Sequence, residues 1–87
     1  MNRDALDTLR AKLAAFEKWP GPYLFKFIAP RGKIEDLKEL FKDEEYTLRA
    51  SRTGKYLSLS CKKEMESSDA VIAVYTEALK IEGVIAL

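Results

Sequence analysis

The clearest pattern in the chain is an alternation between residues 22 and 30, in a segment that begins and ends with proline. Successive side chains of a strand point to opposite faces, so an extended segment here has two distinct sides. One side carries Tyr23, Phe25, Phe27 and Ala29, and the other carries Leu24, Lys26 and Ile28. A strand that is apolar on one side and mostly apolar on the other favours an interior position. We therefore predict the central strand of a small sheet over residues 23–29.

Three other segments have the spacing of helices, with apolar residues three and four positions apart. The first covers residues 3–18, with the apolar stripe Leu6, Leu9, Leu13 and Phe16. The second covers residues 33–42, with the inward face Ile34, Leu37, Leu40 and Phe41. The third covers residues 69–81, with the inward face Val71, Ile72, Tyr75, Ala78 and Leu79. Ser67-Ser68-Asp69 supplies a cap for this last helix, and Gly83 ends it.

Two alternating segments, residues 46–52 and 55–63, are joined by a turn containing Gly54 and are therefore predicted to form a hairpin. In the second of them Leu57, Leu59 and Cys61 share one face, which predicts that Cys61 is an inert thiol in the core. Residues 84–87 are predicted to close the chain as a short apolar strand.

The resulting order is a helix followed by β-α-β-β-α-β, which is typical of the ferredoxin-like sandwich. We expect an α+β fold with a four-stranded antiparallel sheet, both later helices on one face, and the first and third strands at the centre. The segment Trp19-Pro20-Gly21-Pro22 forms a stiff turn after the first helix, with Trp19 over the edge of the core. We divide the chain into an N-terminal helix and turn, residues 1–21, and a ferredoxin-like domain, residues 22–87.

Composition narrows the classes of function. The 87 residues include 15 Lys and Arg and 14 Asp and Glu, a net charge of +1, and this balance argues against a nucleic-acid or membrane-surface binder. The chain has no histidine and a single cysteine, so the commonest general base and metal ligand are absent. We predict a soluble, cytoplasmic protein that is not an enzyme and has no catalytic residue, metal site or cofactor.

Three segments carry a resemblance to a known family. They read P-x-P-Y-x-F-K-F at 20–27, GKYLSLS at 54–60 and IEGVIAL at 81–87. In these the chain resembles the YbeD-like family of small bacterial proteins, a domain of unknown function. The resemblance implies a ferredoxin-like fold similar to the ACT regulatory domains, which bind amino acids. It implies no catalytic or ligand residues, since none is established for that family.

The first functional hypothesis is an ACT-like regulatory module that senses a small anionic ligand. In ACT domains the loop after the first strand faces the ligand at a subunit interface, and here that loop is Pro30-Arg31-Gly32-Lys33. Glycine allows close approach of the backbone, and free amides before a helix attract a carboxylate or phosphate. Ala29 departs from the ACT pattern, which usually has an acidic residue before the Pro-x-Gly.

The second hypothesis is an interaction or self-association module, a homodimer or a complex with another protein. It uses either the N-terminal helix or the sheet face opposite the helices, with the residues Leu24, Lys26, Ile28, Arg49, Tyr56, Ser58 and Lys62. RNA binding by the same face is a third hypothesis and the least favoured of the three, because the aromatic residues of the first strand belong to the other face.

Overall fold

The computed structural model describes the backbone of residues 3–16 and 18–87 and the side chains of residues 6–15 and 18–87. Over these residues the chain forms α1 (Arg3–Phe16), β1 (Gly21–Pro30), α2 (Ile34–Glu39), β2 (Thr47–Ala50), β3 (Tyr56–Met65), α3 (Ser68–Ala78) and β4 (Ile85–Ala86). A 3₁₀ turn, Arg31–Lys33, joins β1 to α2.

The four strands form one antiparallel sheet in the order β2-β3-β1-β4. The central strands β1 and β3 have ten residues each and pair along their whole length, from Gly21 opposite Met65 to Pro30 opposite Tyr56. This order confirms the predicted ferredoxin-like α+β fold with its additional N-terminal helix. It also confirms that the aromatic strand is central.

The core lies on the side of the sheet that the helices cover. Phe25 and Phe27 of β1 are fully buried there, and their rings pack against Phe41 and Tyr75. The ring centroids of Phe25 and Phe41 are 5.8 Å apart, and those of Phe27 and Tyr75 are 5.3 Å apart. Rings at these separations pack with favourable edge contacts in addition to the area that they bury.

The start of α3 follows from its sequence. Ser67 has extended backbone geometry, and its hydroxyl accepts a hydrogen bond of 3.1 Å from the amide of Ala70, so the predicted cap is confirmed. The helix ends at Ala78, three residues before the predicted end, and a turn leads to Gly83. Gly83 has a φ of +84°, and a Cβ there would lie 2.7 Å from Cγ of Pro30, so glycine is required.

The N-terminal helix packs on its own domain, against α3. Leu13 is buried in the common core, and Leu6 and Leu9 are half-buried against it. Arg10 Nε lies 3.1 Å from a carboxylate oxygen of Asp69, and the ring nitrogen of Trp19 donates to the carbonyl of Leu13. The predicted place of Trp19 at the edge of the core is confirmed. The side chain of Phe16 lies outside the described residues, and the division at residue 21 stays a prediction.

Several predicted boundaries differ from those observed. Helix α2 covers Ile34–Glu39 rather than 33–42. The amides of Leu40 and Phe41 donate hydrogen bonds to carbonyls three residues earlier in the chain, which tightens the last turn. As a result Phe41 is buried but Leu40 is 38% exposed, so the prediction that Leu40 belongs to the inward face was wrong. Strand β2 is shorter than predicted and β3 is longer, since its pairing with β1 continues to Met65.

Candidate interaction face

The side of the sheet that none of the described helices covers is named the open face. Its residues follow from the register, because residues paired across antiparallel strands point to the same side. Ile28 pairs with Ser58 on one side and with Ile85 on the other, and Ser58 also pairs with Arg49. The register therefore brings together the predicted face residues Leu24, Lys26, Ile28, Arg49, Tyr56, Ser58 and Lys62.

An apolar strip runs along the β1–β4 half of this face and consists of Leu24, Ile28, Ile85 and Leu87. Leu24 is 57% exposed, Ile85 is 57% exposed and Leu87 is 59% exposed, whereas Ile28 is half-buried. The amide of Leu87 donates to the carbonyl of Lys26 at 2.9 Å, so the pairing of β4 with β1 continues through residue 87.

Sequence reasoning missed Ile85 and Leu87 as members of the face. The alternation of residues 84–87 was a usable signal, since it puts Ile85 and Leu87 on one side and Val84 and Ala86 on the other. Which side is open depends on the pairing of β4 with β1, and the local sequence does not specify that pairing.

Charged side chains surround the apolar strip, and none of them is neutralised within the described residues. Lys26, Lys62 and Arg49 project from the open face, and Glu64 is on the same side, since it pairs with Pro22 in line with Leu24 and Lys62. Glu45 precedes Thr47 by two residues and lines a depression on the same side. In contrast, the ion pairs observed lie on the helices or on the helix side of the sheet, such as Lys63 with Glu44 at 3.1 Å.

Two open depressions mark this face. One has a volume of about 220 Å³ and is lined by Ile28, Arg49, Ala50, Ser51, Tyr56 and Ser58. The other has a volume of about 380 Å³ and is lined by Leu24, Glu45, Tyr46, Thr47, Ser60 and Lys62. Both are broad and shallow rather than enclosed, which suits contact with a protein surface better than capture of a small apolar ligand.

The loop predicted to bind an anion is tied to the hairpin between β2 and β3. The amide of Arg31 donates to the carbonyl of Lys55 at 2.9 Å, and its Nε donates to the carbonyl of Gly54 at 2.7 Å. These two donors of the loop are therefore used inside the chain. Gly54 has a φ of +77°, which the tight turn requires.

Within the described residues, Gly32 and Lys33 form no hydrogen bond of this kind to the hairpin. A Cβ on Gly32 would meet no atom within 4 Å, and the backbone of Gly32 is not left-handed. Lys33 is half-exposed and, within the described chain, has no carboxylate partner. The cations Arg52 and Lys55 lie on the adjoining hairpin turn, so this end of the sheet is basic.

The titratable groups of the core are held in their neutral forms. The hydroxyls of Tyr23 and Tyr75 are 2.7 Å apart, and burial together with this hydrogen bond raises the pKa of Tyr75 well above its usual value. Burial, with a smaller effect from Glu44, raises the pKa of the Cys61 thiol. A thiol that stays protonated is a poor nucleophile, and the predicted core position of Cys61 is confirmed.

Within the described residues, no cluster of acidic or cysteine side chains has the composition of a metal site. None of the helices in that part of the chain is both long and apolar enough to span a bilayer. The aromatic rings of Phe25 and Phe27 are buried under the helices, so β1 presents no ring to the open face for base stacking.

These features define a small α+β protein with a four-stranded antiparallel sheet, one face of which is covered by none of the described helices. A family model described as a protein of unknown function, DUF493, matches residues 18–87, and the chain belongs to that family. Helix α1 lies outside the matched region. No curated protein and no solved structure matches the chain.

Proposed function

We propose that this protein is a non-enzymatic regulatory module that binds a protein partner, a second copy of itself or a different protein, through the open face of its sheet. The observation that carries the proposal is the exposed apolar strip of Leu24, Ile28, Ile85 and Leu87. Apolar strips with a polar rim are common in protein interfaces, where the apolar centre is desolvated and the charged rim fixes orientation. Within the family, we further propose that the chain is one of the YbeD-like bacterial proteins that it resembles.

The contrast between the faces supports this proposal. Leu24 and Ile28 alternate with Phe25 and Phe27 along the same strand, yet only the phenylalanines are fully covered by the chain's own helices. The charges beside the strip likewise have no ion pair within the described chain. A partner that covers the strip would supply both apolar contact and opposite charge.

A photo-crosslinking residue in place of Leu24 tests the proposal in the cells that make the protein. We expect discrete covalent adducts with a protein, because Leu24 would lie inside the interface. The matched control replaces Leu40, which is also an exposed leucine but lies on the helix side. Absence of adducts from position 24, or equal adducts from both positions, would overturn the proposal.

A second candidate is an ACT-like site for a small anion at Pro30, Arg31, Gly32 and Lys33. The observation that favours it is the open space beside Gly32, next to the ammonium group of Lys33, which forms no ion pair with a described residue. Close approach of a carboxylate or phosphate to the backbone would use both features.

Calorimetric titration with amino acids and with inorganic phosphate tests this second candidate. Gly32→Ala adds a methyl group where no atom of the chain is near, so folding should be unaffected while binding weakens. Lys33→Met should also weaken binding, and Lys12→Met, which removes an exposed lysine of α1, serves as the control. A wild-type protein that gives no heat with any of these ligands would eliminate this site as a small-anion sensor.

A further inference from the structure

We infer that the partner of the open face is a second copy of this chain, packed face to face with its strands antiparallel to those of the first. This inference rests on the proposed function, and it adds the identity of the partner and the direction of packing. It follows from the order of residues across the open face rather than from exposure alone.

The register arranges the open face in rows that cross the strands. The middle row contains Leu87, Lys26, Ser60 and Thr47. The row on one side contains Leu24 and Lys62, and Glu45 joins it because it precedes Thr47 by two residues. The row on the other side contains Ile85, Ile28, Ser58 and Arg49. Neighbouring rows are about 6.6 Å apart along a strand.

A twofold axis that lies between the two sheets and follows the middle row exchanges the outer rows and leaves each strand opposite its own copy. Leu24 then faces Ile28 of the second copy, and Ile28 faces Leu24 of the second copy. At the β2 edge of the sheet, Arg49 faces Glu45 of the second copy, and this contact also occurs twice. One operation thus pairs Leu24 with Ile28 and sets Arg49 opposite Glu45, two charges that form no ion pair within the described residues.

A twofold axis parallel to the strands does not produce both the apolar contact and the charge pairing. Placed between β1 and β3, it sets Leu24 opposite Lys62 of the second copy, so an apolar side chain meets a charge. Placed over β1, it matches Leu24 with itself but leaves Arg49 and Glu45 beyond the edge of the second sheet, because β4 lies on the other side of β1 from β3. The Glu45–Arg49 pairing therefore selects the antiparallel arrangement.

The face sets the size of such an association. Four strands give a width of about 19 Å and the ten-residue central strands give a length of about 33 Å, so the outline of the face is at most about 630 Å², since β2 and β4 are shorter. This lies below the roughly 800 Å² per partner of a standard interface and places the dimer among the smaller specific interfaces. Aligned sheets pack at about 30° to each other, and this rotation keeps the central rows in contact.

Lys26 makes the unfavourable contact in this arrangement. It lies on the middle row and faces Lys26 of the second copy, so its ammonium group must turn toward solvent along its flexible stem. Replacement of this charge by an apolar side chain of similar length should therefore tighten the dimer.

Charge exchange tests the inference by analytical ultracentrifugation and by energy transfer between labelled chains. Arg49→Glu and Glu45→Arg should each weaken self-association of the isolated variant by about tenfold or more, because like charges then face each other twice. An equimolar mixture of the two variants should associate as well as the wild type, since both contacts become opposite in charge again. Lys26→Met should associate more tightly than the wild type.

Circular dichroism confirms that each variant is folded, which is expected because all three positions are exposed. A wild-type chain that stays monomeric at high micromolar concentration, or a mixture that associates no better than its separate components, would overturn the inference. Crosslinked adducts from position 24 that contain another protein and no second copy would also overturn it, while leaving the proposed function intact. Absence of any adduct would remove the proposed function itself.

Discussion

The two sides of strand β1 differ in how far the rest of the chain covers them. On one side, Phe25 and Phe27 are fully buried beneath the helices, and the hydroxyl of the nearby Tyr23 forms a hydrogen bond with the hydroxyl of Tyr75. On the other side, Leu24 is more than half exposed, and Lys26 has no ion-pair partner among the described residues. The helices of the chain cover one side of the strand, whereas the other side is exposed.

We expect this difference to separate the residues of a single strand that stabilise the fold from those proposed to bind a partner. Burial of the helix side supplies the apolar contacts that hold the fold, at roughly 25 cal/mol for each Å² removed from water. The open face leaves its apolar area in water, where it adds little to folding but remains available to drive association. Substitutions on the two sides should therefore affect different measurements.

The largest expected effect comes from truncation on the helix side. Phe27→Ala removes a fully buried ring and should lower the free energy of unfolding by about 3–5 kcal/mol, because a cavity remains in the core. Ile28→Ala, on the next residue, should cost only about 1 kcal/mol, since Ile28 is half-buried and has no helix above it. Urea denaturation at low protein concentration measures both, and equal losses would contradict the division of roles.

A smaller effect on the helix side depends on pH. Because the pKa of Tyr75 is raised in the folded state, the unfolded chain loses this proton first as the pH rises. The contribution of the protonated Tyr75 to the free energy of unfolding is fully present below the ordinary tyrosine pKa of about 10. Above that pH it is lost, at up to about 1.4 kcal/mol per pH unit.

Tyr75→Phe should remove that part of the alkaline loss of stability. At neutral pH it should cost about 1 kcal/mol through the lost hydrogen bond to Tyr23. Tyr23→Phe keeps the buried phenol of Tyr75 and is the matched control, so most of the alkaline dependence should persist. Denaturation midpoints from pH 8 upward provide the measurement, and unchanged alkaline behaviour in Tyr75→Phe would mean that another group is responsible.

The smallest expected effect is on the open face. The Ser58 hydroxyl donates to the carbonyl of Arg49 at 3.3 Å in an exposed setting, so Ser58→Ala should change the free energy of unfolding by less than about 0.5 kcal/mol. The same denaturation experiment tests this. A loss above 1 kcal/mol would show that the open face contributes to the stability of the single chain.

The fold was largely predictable because its main signals are local. Alternation over residues 23–29, the Gly54 turn and the Ser67 cap each specify their element through the nearby sequence, and all three were confirmed. The order of these elements then leaves few topologies for an antiparallel sheet with helices on one face. The end of α2 was less predictable, because its last turn tightens. This buries the ring of Phe41 and leaves Leu40 exposed.

The candidate site was predictable only in part. The face residues on β1 and β3 followed from alternation, since each strand has one side that is more polar than the other. The loop at Arg31 was identified by its likeness to the ligand loop of ACT domains, but its hydrogen bonds to Gly54 and Lys55 join segments more than twenty residues apart. No local pattern specifies such contacts.

The sequence by itself determined which residues of each strand lie together, because side-chain alternation is a property of the extended backbone. It also determined the central place of β1, since a strand with two apolar sides is stable only between neighbours. Only the tertiary structure decided that Ile85 and Leu87 extend the apolar strip and that Glu45 and Arg49 lie in rows on either side of Lys26. These placements depend on register between strands that are distant in the chain, and register is fixed by packing of the whole sheet.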